Sequence, residues 1–215
     1  MILHLETATK VCSVALSDKG KLIAHKEENS ESYTHSENLT VFVMDVLKKA
    51  GKKLGDLDAV SVTSGPGSYT GLRIGVSTAK GFCYALNIPL ISVDSLVSIA
   101  AQLPNKNSNQ LFCPMIDARR MEVFSAIYDI DLNIKKPISA DVITATTYAE
   151  FGNIIACGDG AEKLRPMWKS RANVTFKTDM LSSAKGQITI AWQKYQKQHF
   201  ENVAYFEPFY LKDFK

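Results

Sequence analysis

A glycine-rich turn, Ser64 to Gly75, is the stretch of this sequence whose residue types could bind a phosphate. It follows a β-branched run that predicts a strand over Asp58 to Thr63, and it leads into an apolar pattern that predicts a helix up to Leu86. Glycine lets a second backbone come close, and the free N–H groups of a helix N-terminus attract anions. The same residues could instead form a structural joint that holds no ligand, so the turn alone leaves both interpretations open.

The predicted helix carries two apolar stripes. At about 100° per residue, one stripe consists of Leu72, Val76, Ala79, Cys83 and Leu86, and the adjoining one of Gly71, Gly75, Thr78 and Phe82. Glycine inside a helix costs roughly 1 kcal/mol relative to alanine, so these glycines need a packing reason. If the first stripe faces a sheet, the second points outward, and we expect another helix to pack on it. That helix belongs either to this chain or to a partner. On the second alternative, Gly75→Arg leaves the chain folded and abolishes association.

Side chains suited to metal binding or nucleophilic chemistry are few and scattered. The four histidines nowhere approach metal-ligand spacing: His4, His25, His35 and His199. The four cysteines form no C-x-x-C pair and lie among apolar neighbours, which predicts buried thiols in a reducing compartment: Cys12, Cys83, Cys113 and Cys157. We therefore assign no catalytic residue, no metal ligand and no cofactor.

The totals describe an ordinary globular chain. Its 215 residues suffice for one large domain or two small ones, and its net charge of +3 is spread along the sequence. The densest basic cluster, Lys48 to Lys53, lies where a helix should end, so we interpret it as a solvated helix end rather than a nucleic-acid site. No run reaches about 18 apolar residues, and a strand pattern begins at Ile2, so we expect a cytoplasmic protein without membrane contact.

The first half of the sequence has the predicted element order βββαβαβ. Three strands over Ile2 to Glu27 form an antiparallel meander, and a helix over Glu37 to Ala50 follows. The strand and helix around the glycine-rich turn come next, and a strand over Leu90 to Val93 ends the unit. Two right-handed crossovers after a meander predict a mixed sheet with helices on its faces.

The second half partly repeats this pattern after a linker over Leu103 to Gln110. It contains an apolar strand over Leu111 to Ile116 and a hairpin strand over Glu122 to Tyr128. A short helix over Thr146 to Phe151 and a final helix over Ala184 to Gln198 are also predicted. We predict an α/β protein with an N-terminal subdomain, residues 1–102, and a smaller C-terminal subdomain, residues 103–215.

A duplicated βββαβαβ unit resembles the actin, hexokinase and Hsp70 fold, also called the ribonuclease H-like or ASKHA fold. Within it, the runs SGPGSYTGLRIG and AKGFCYALNIPLISVDSL resemble the bacterial TsaB family, also named YeaZ. The opening MILHLETATKVCSVAL agrees, as do DARRMEVF, GDGAEK and the PFYLKDF tail. The resemblance covers essentially the whole chain.

The resemblance implies a role in making threonylcarbamoyladenosine, the modified base beside the anticodon of certain tRNAs. In that family TsaB supports the related transferase TsaD without catalysing, and the ATPase TsaE joins them. It further implies a homodimer in isolation and contact with tRNA through the complex alone. The implied partner interface consists of Gly71, Arg73, Ile74, Gly75, Thr78 and Phe82.

Particular residues separate the supporting subunit from its catalytic relative. TsaD carries a His-x-x-x-His metal pair after the long helix, and this sequence has Ser95 and Ile99 at those places. Actin-like ATPases place an acidic residue and a glycine in the first strand turn, whereas Glu6 is followed here by no glycine before Val11. The resemblance therefore implies a chain that binds neither the metal nor ATP tightly.

Two other functions remain as alternatives. A small actin-fold ATP-dependent kinase needs two glycine-rich phosphate loops and an aspartate base, for which Gly158-Asp159-Gly160 is the candidate. An M22-type metallopeptidase needs ligands that Ser95 and Ile99 do not supply. The turn residues Arg119 and Glu122 form either an ion pair within a hairpin or a contact with a partner or nucleotide.

Overall fold

The computed structural model describes residues 1–30, 35–104 and 109–212, and these contain two five-stranded sheets. The first sheet has the strand order β3-β2-β1-β4-β5. Its strands are β1 (Ile2–Glu6), β2 (Val11–Asp18), β3 (Lys21–Asn29), β4 (Ala59–Gly65) and β5 (Leu90–Asp94). The first three strands are antiparallel, while β4 and β5 continue the sheet in parallel from β1. The predicted meander and the mixed sheet are confirmed.

The second sheet has the order β10-β9-β6-β7-β8 and the same connectivity. Its strands are β6 (Leu111–Asp117), β7 (Glu122–Tyr128), β8 (Ile134–Val142), β9 (Ile154–Cys157) and β10 (Val174–Lys177). Here too an antiparallel meander, β6 to β8, is extended in parallel from its first strand by β9 and β10. The structure therefore confirms an α/β fold built from two related sheets.

Two helices cover one face of the first sheet. The first, α1 (His35–Lys49), buries the face that its apolar periodicity predicts, namely Leu39, Phe42, Val43, Val46 and Leu47. The second, α2 (Tyr69–Leu86), buries the predicted stripe of Leu72, Val76, Ala79 and Cys83. Both helices contact each other and share one apolar core with β1 to β4.

The remaining helices are shorter. Directly after β5 comes α3 (Ser95–Ala100), and α4 (Arg165–Trp168) buries Trp168 against the second sheet. The predicted helix over Thr146 to Phe151 is wrong, since this segment forms turns with a 3₁₀ segment at Ala149–Phe151. Four residues of the predicted linker, 105–108, lie outside the described residues.

The last helix, α5 (Ile188–Gln196), returns to the first sheet. A 3₁₀ turn at Ala184–Gln187 precedes it, so the predicted final helix begins as a tighter turn. Gln187 is buried, donates from Nε2 to the Leu5 carbonyl over 2.8 Å and accepts from Ser61 Oγ over 2.7 Å. Residues 184–196 thus contact strands of the first half, and the subdomain boundary between 102 and 103 stays a prediction.

All four cysteines are buried free thiols. Burial raises the pKa of Cys12 to about 12 and that of Cys83 to about 11. Among the described residues, no helix combines the length and the apolar character needed to cross a membrane.

Candidate partner interface

The glycine-rich turn becomes the start of α2. Ser68 caps the helix, because its Oγ accepts from the Gly71 N–H over 3.2 Å, as the sequence allows. The Ser68 N–H donates to the Ala8 carbonyl over 2.7 Å, and a Cβ on Gly67 would lie 2.4 Å from that oxygen. The Ser68 N–H is therefore directed at the loop between β1 and β2, and the Gly71 N–H at the Ser68 cap.

Gly71 and Gly75 face that same loop within the chain. A Cβ on Gly71 would lie 2.1 Å from the Thr7 carbonyl oxygen, and one on Gly75 would lie 2.2 Å from Thr7 Oγ1. Both glycines and Thr7 are buried. The expectation that these glycines point outward is wrong, since the β1–β2 loop lies against them and only a hydrogen fits there.

Glu6 lies at the end of β1 beneath this contact and is fully buried. Its Oε1 accepts from the Ala8 N–H over 2.8 Å, while no described donor reaches Oε2. Burial raises the pKa of Glu6 to about 7, although the hydrogen bond from the Ala8 N–H opposes the shift. Glu6 thus orients the loop from inside the protein, in a place that solvent does not reach.

Away from the core, α1 and α2 present apolar side chains to solvent. Val41 is 52% exposed and Met44 57% exposed on α1, and Tyr84 is 86% exposed on α2. Of the predicted interface residues, Arg73 is exposed and lies over the Tyr69 ring at 4.9 Å. Three others are partly buried: Ile74, Thr78 and Phe82. We use the term α1–α2 face for the surface residues of the two helices named in this paragraph.

Comparison with known proteins gives matches along nearly the whole chain. A family model described as "TsaD: tRNA N6-adenosine threonylcarbamoyltransferase" matches residues 22–214. The Escherichia coli K12 "tRNA threonylcarbamoyladenosine biosynthesis protein TsaB" is 30% identical over 99% of this chain and 94% of its own length. The chain belongs to the TsaB family. The Haemophilus influenzae TsaB protein is 25% identical over 99% of this chain and 93% of its own length.

Solved structures agree with the TsaB family assignment. YeaZ from Pseudomonas aeruginosa superposes with a TM-score of 0.80 at 25% identity, covering 98% of this chain and 99% of that one. The (R)-2-hydroxyglutaryl-CoA dehydratase component A of Acidaminococcus fermentans has a TM-score of 0.54 at 9% identity, covering 92% and 98% of the two chains. That second likeness supports the fold alone.

The matching family model is named after TsaD, whereas the relatives that match over the full length are named TsaB. Residues expected to differ between TsaB and TsaD are therefore compared with the structure. Ser95 and Ile99, which the resemblance sets against the TsaD metal pair, are fully buried on α3. Isoleucine has no donor atom. Within the described ranges, no three His, Cys, Asp or Glu side chains are grouped as a metal site requires.

Three of the four histidines make ordinary side-chain contacts, and the fourth, His199, is exposed. His4 is buried, with Nε2 2.7 Å from Ser17 Oγ, and burial lowers its pKa to about 3. His25 Nε2 lies 2.8 Å from a Glu27 carboxylate oxygen. His35 Nε2 donates to the Thr9 carbonyl over 2.8 Å, which ties the start of α1 to the β1–β2 loop.

The hairpin at Arg119 and Glu122 is held differently from the expected ion pair. The Glu122 carboxylate pairs with Lys212 of the C-terminal tail, and Arg119 contributes its backbone N–H to Asp117 Oδ1 over 2.8 Å. Lys163 bridges the same turn by contacting Asp117 and the Glu122 carbonyl. An ion pair between Arg119 and Glu122 is therefore wrong, and the exposed Arg119 guanidinium makes no salt bridge within the described residues.

Sequence reasoning missed the most exposed residues of the α1–α2 face. Val41 and Met44 lie in the same apolar stretch as the core residues of α1, and Tyr84 falls outside both apolar stripes predicted for α2. A signal was present in α1, because an apolar pair on the side opposite Leu39 and Val46 exceeds what one buried face needs.

Proposed function

We propose that this chain is a non-catalytic supporting subunit in tRNA threonylcarbamoyladenosine biosynthesis, which binds and activates the transferase TsaD in the cytoplasm. TsaE joins the two subunits, and tRNA contacts this chain through the complex. In the absence of TsaD, the same surface pairs two copies of this chain.

The observation that carries the proposal is the α1–α2 face. Val41, Met44 and Tyr84 expose more than half of their side chains, on helices whose other sides form the core of the first sheet. Isolated exposed apolar residues are normal on protein surfaces, but the adjacent pair Val41 and Met44 on α1, a helix that contacts α2, favours a protein partner. The predicted residues Arg73, Ile74, Thr78 and Phe82 lie on α2, whereas Tyr84 lies about 160° around that helix from Phe82, beside Asn202 and Val203.

Gly71 and Gly75 enter the proposal in a different role. They allow α2 to lie close to the β1–β2 loop, which fixes the position of the helix that carries the outer residues. We therefore treat them as positioning residues beneath the partner interface.

The β1–β2 loop and the buried Glu6 favour a supporting rather than a catalytic role. The β1–β2 loop accepts the N–H of Ser68 and contacts Gly67, so its backbone is engaged within the chain. Glu6 is buried and carries a raised pKa of about 7, which weakens it as a permanent carboxylate for a Mg²⁺-bound phosphate.

The test is co-purification with TsaD from the same organism, followed by a reconstituted modification assay with and without this chain. We expect a stable complex, and modification that depends on both chains. Turnover of ATP or hydrolysis of a peptide by this chain alone would instead support the kinase or metallopeptidase alternatives.

A matched pair of variants locates the interface. Met44→Glu places a charge in the exposed apolar pair of α1, and Met167→Glu makes the same change at an exposed methionine of α4 on the second sheet. We expect Met44→Glu to abolish TsaD binding while its circular dichroism spectrum stays native, and Met167→Glu to bind normally. Equal binding by both variants would refute this location.

A further inference from the structure

The turn between β6 and β7 presents two arginines in a backbone conformation that does not favour arginine. Arg119 has a φ of 68° and Arg120 a φ of 49°, and both residues are exposed. Glycine adopts this left-handed region readily and asparagine or aspartate occasionally, whereas other side chains crowd the following carbonyl oxygen. The shape of this turn, which we call the arginine hairpin, therefore does not explain why both positions carry a guanidinium.

The acids at the base of the arginine hairpin are each bound by a lysine. Asp117 pairs with Lys163, and Glu122 pairs with Lys212 of the C-terminal tail. Neither arginine takes part in an ion pair within the part of the chain that the structure describes. The tip of the hairpin thus carries two positive charges that no neighbouring acid neutralises.

The base of the hairpin is held from several sides. Lys163 Nζ donates to the Glu122 carbonyl over 2.6 Å, and the Arg119 N–H donates to Asp117 Oδ1 over 2.8 Å. A Cβ on Gly160 would lie 3.0 Å from the Asp117 nitrogen, so the loop after β9 packs directly against the start of the turn. Because the backbone is fixed, a ligand has to order only the two side chains.

The C-terminal tail brings exposed aromatic rings beside the hairpin. The Phe209 N–H donates to the Ser64 carbonyl over 2.7 Å, and three residues later Lys212 contacts Glu122. Three residues span at most about 11 Å, so this part of the tail lies between the glycine-rich turn and the hairpin. The side chains of Phe209 and Tyr210 are 46% and 37% exposed there.

Guanidiniums next to open aromatic rings match the chemistry of single-stranded RNA. A guanidinium binds a phosphate through two parallel hydrogen bonds, and an unstacked base packs on an aromatic ring. An acidic protein segment would use the charges but not the rings. Residues 202–212 contain one acid, Glu207, and it lines a cavity with Arg73 and Lys80 along α2. It therefore has cations of its own and leaves the arginine hairpin positive.

We propose that the arginine hairpin and the adjoining tail bind a single-stranded segment of tRNA. Arg119 and Arg120 contact phosphates, and an unstacked base packs on Phe209 or Tyr210. This inference rests on the proposed function, because it assigns the tRNA contact of the complex to a surface of this chain. That surface lies beside the start of α2, at one end of the α1–α2 face.

The test is fluorescence anisotropy of the full chain with labelled decauridylate at about 50 mM salt, where the few phosphate contacts allow a Kd on the order of 10–100 µM. Arg119→Gly and Arg120→Gly remove the guanidiniums at positions where glycine suits the backbone, so both variants should keep or raise the Tm. We expect each to bind RNA about fivefold more weakly. The double variant should lower the slope of log Kd against log salt by about 1.4, at about 0.7 per phosphate contact.

A second pair of variants tests the aromatic part of the surface. Phe209→Leu keeps an apolar side chain but removes the ring, and we expect RNA binding about fivefold weaker. Phe209→Trp should restore it, because a larger ring stacks at least as well.

Lys19→Gly is the matched control, since Lys19 is an exposed cation with a φ of 47° in the turn between β2 and β3. We expect it to bind RNA like the original chain. Equal affinities of Lys19→Gly and the double arginine variant, or no binding of decauridylate by the original chain at about 50 mM salt, would overturn the assignment. So would ATP binding that requires both arginines in a chain that does not bind the RNA, because the hairpin would then be a nucleotide site.

Measurements with TsaD separate this proposal from the proposed function. We expect the double arginine variant to bind TsaD normally and to raise the KM for tRNA in the reconstituted modification assay, with kcat unchanged. If modification proceeds with an unchanged KM, the hairpin proposal is wrong and the proposed function stands. If the original chain does not bind TsaD while its RNA binding requires both arginines, the proposed function fails and the RNA-binding surface stands.

Discussion

Adding one methyl group at Gly75 and at Gly81 tests how α2 is packed. Both glycines lie inside α2, where alanine is favoured by about 1 kcal/mol in an isolated helix. A Cβ at Gly81 meets nothing within 4 Å, so we expect Gly81→Ala to stabilise the protein by about that amount. A Cβ at Gly75 would lie 2.2 Å from Thr7 Oγ1, and the Thr7 Cβ and Cγ2 are 3.4 and 3.5 Å away.

Rotation of the Thr7 side chain does not relieve this contact. Thr7 is fully buried, so one of its other χ1 rotamers brings the methyl group to the same place, and the third rotamer turns both heavy atoms into neighbouring buried positions. Overpacking of this kind costs about 1–3 kcal/mol, so Gly75→Ala should be less stable than Gly81→Ala by that amount. The larger Gly75→Arg should prevent native folding, contrary to the expectation from the helical wheel.

Urea denaturation followed by circular dichroism measures both free energies of unfolding. A double-mutant cycle with Thr7→Ala sharpens the comparison, because removal of Oγ1 and Cγ2 should make Gly75→Ala cheaper and leave Gly81→Ala unchanged. If Gly75→Ala is as stable as Gly81→Ala, or if Thr7→Ala does not couple to it, the packing account is refuted.

Three further predictions concern charge and ligands. Burial raises the pKa of Glu6 from 4.5 to about 7, so the folded state holds a proton that the unfolded state loses, and stability should fall as the pH rises from about 4.5 through 7. Glu6→Gln should remove that loss, on the order of 3 kcal/mol at pH 8; a thermal-unfolding pH profile identical to that of the original chain would contradict it. Elemental analysis of the isolated chain should find no stoichiometric metal, because Ser95 and Ile99 are not ligands, and about one Fe or Zn per chain would be contrary evidence. Binding of tRNA to the isolated chain should be weak and steeply salt-dependent, since a net charge of +3 allows few phosphate contacts. A gel shift of tRNA at nanomolar protein in physiological salt would contradict weak binding.

The sequence predicts the parts of the fold whose burial is regular. The apolar period of α1 places Leu39 and Val46 in the core, and the alternating runs of the first meander place its three strands. Strands β8 and β10 escape prediction for a physical reason. Both lie at an edge of the second sheet, β8 contains Pro137 and no fully buried residue, and β10 has four residues, so neither shows a buried apolar run.

The candidate site is less predictable, because a helical wheel gives the angle of a residue and not the identity of its neighbour. It groups Gly75 with Thr78 and Phe82, yet the β1–β2 loop covers the glycine and leaves the other two partly exposed. The contact between Gly75 and Thr7 joins residues far apart in the chain. No local pattern encodes it.

The duplicated sheets explain both glycine-rich turns without a phosphate. In the first half, a Cβ on Gly67 after β4 would lie 2.4 Å from the carbonyl oxygen of Ala8, which follows the central strand β1. In the second half, a Cβ on Gly158 after β9 would lie 2.3 Å from the Met115 carbonyl of the central strand β6, and one on Gly160 would lie 2.9 Å from Ile116. In each half the parallel strand turns across the end of its neighbour, and that crossing requires glycine. The GPG and GDG motifs therefore follow from the strand order itself, and the chemistry of the chain has to be sought on its outer helices.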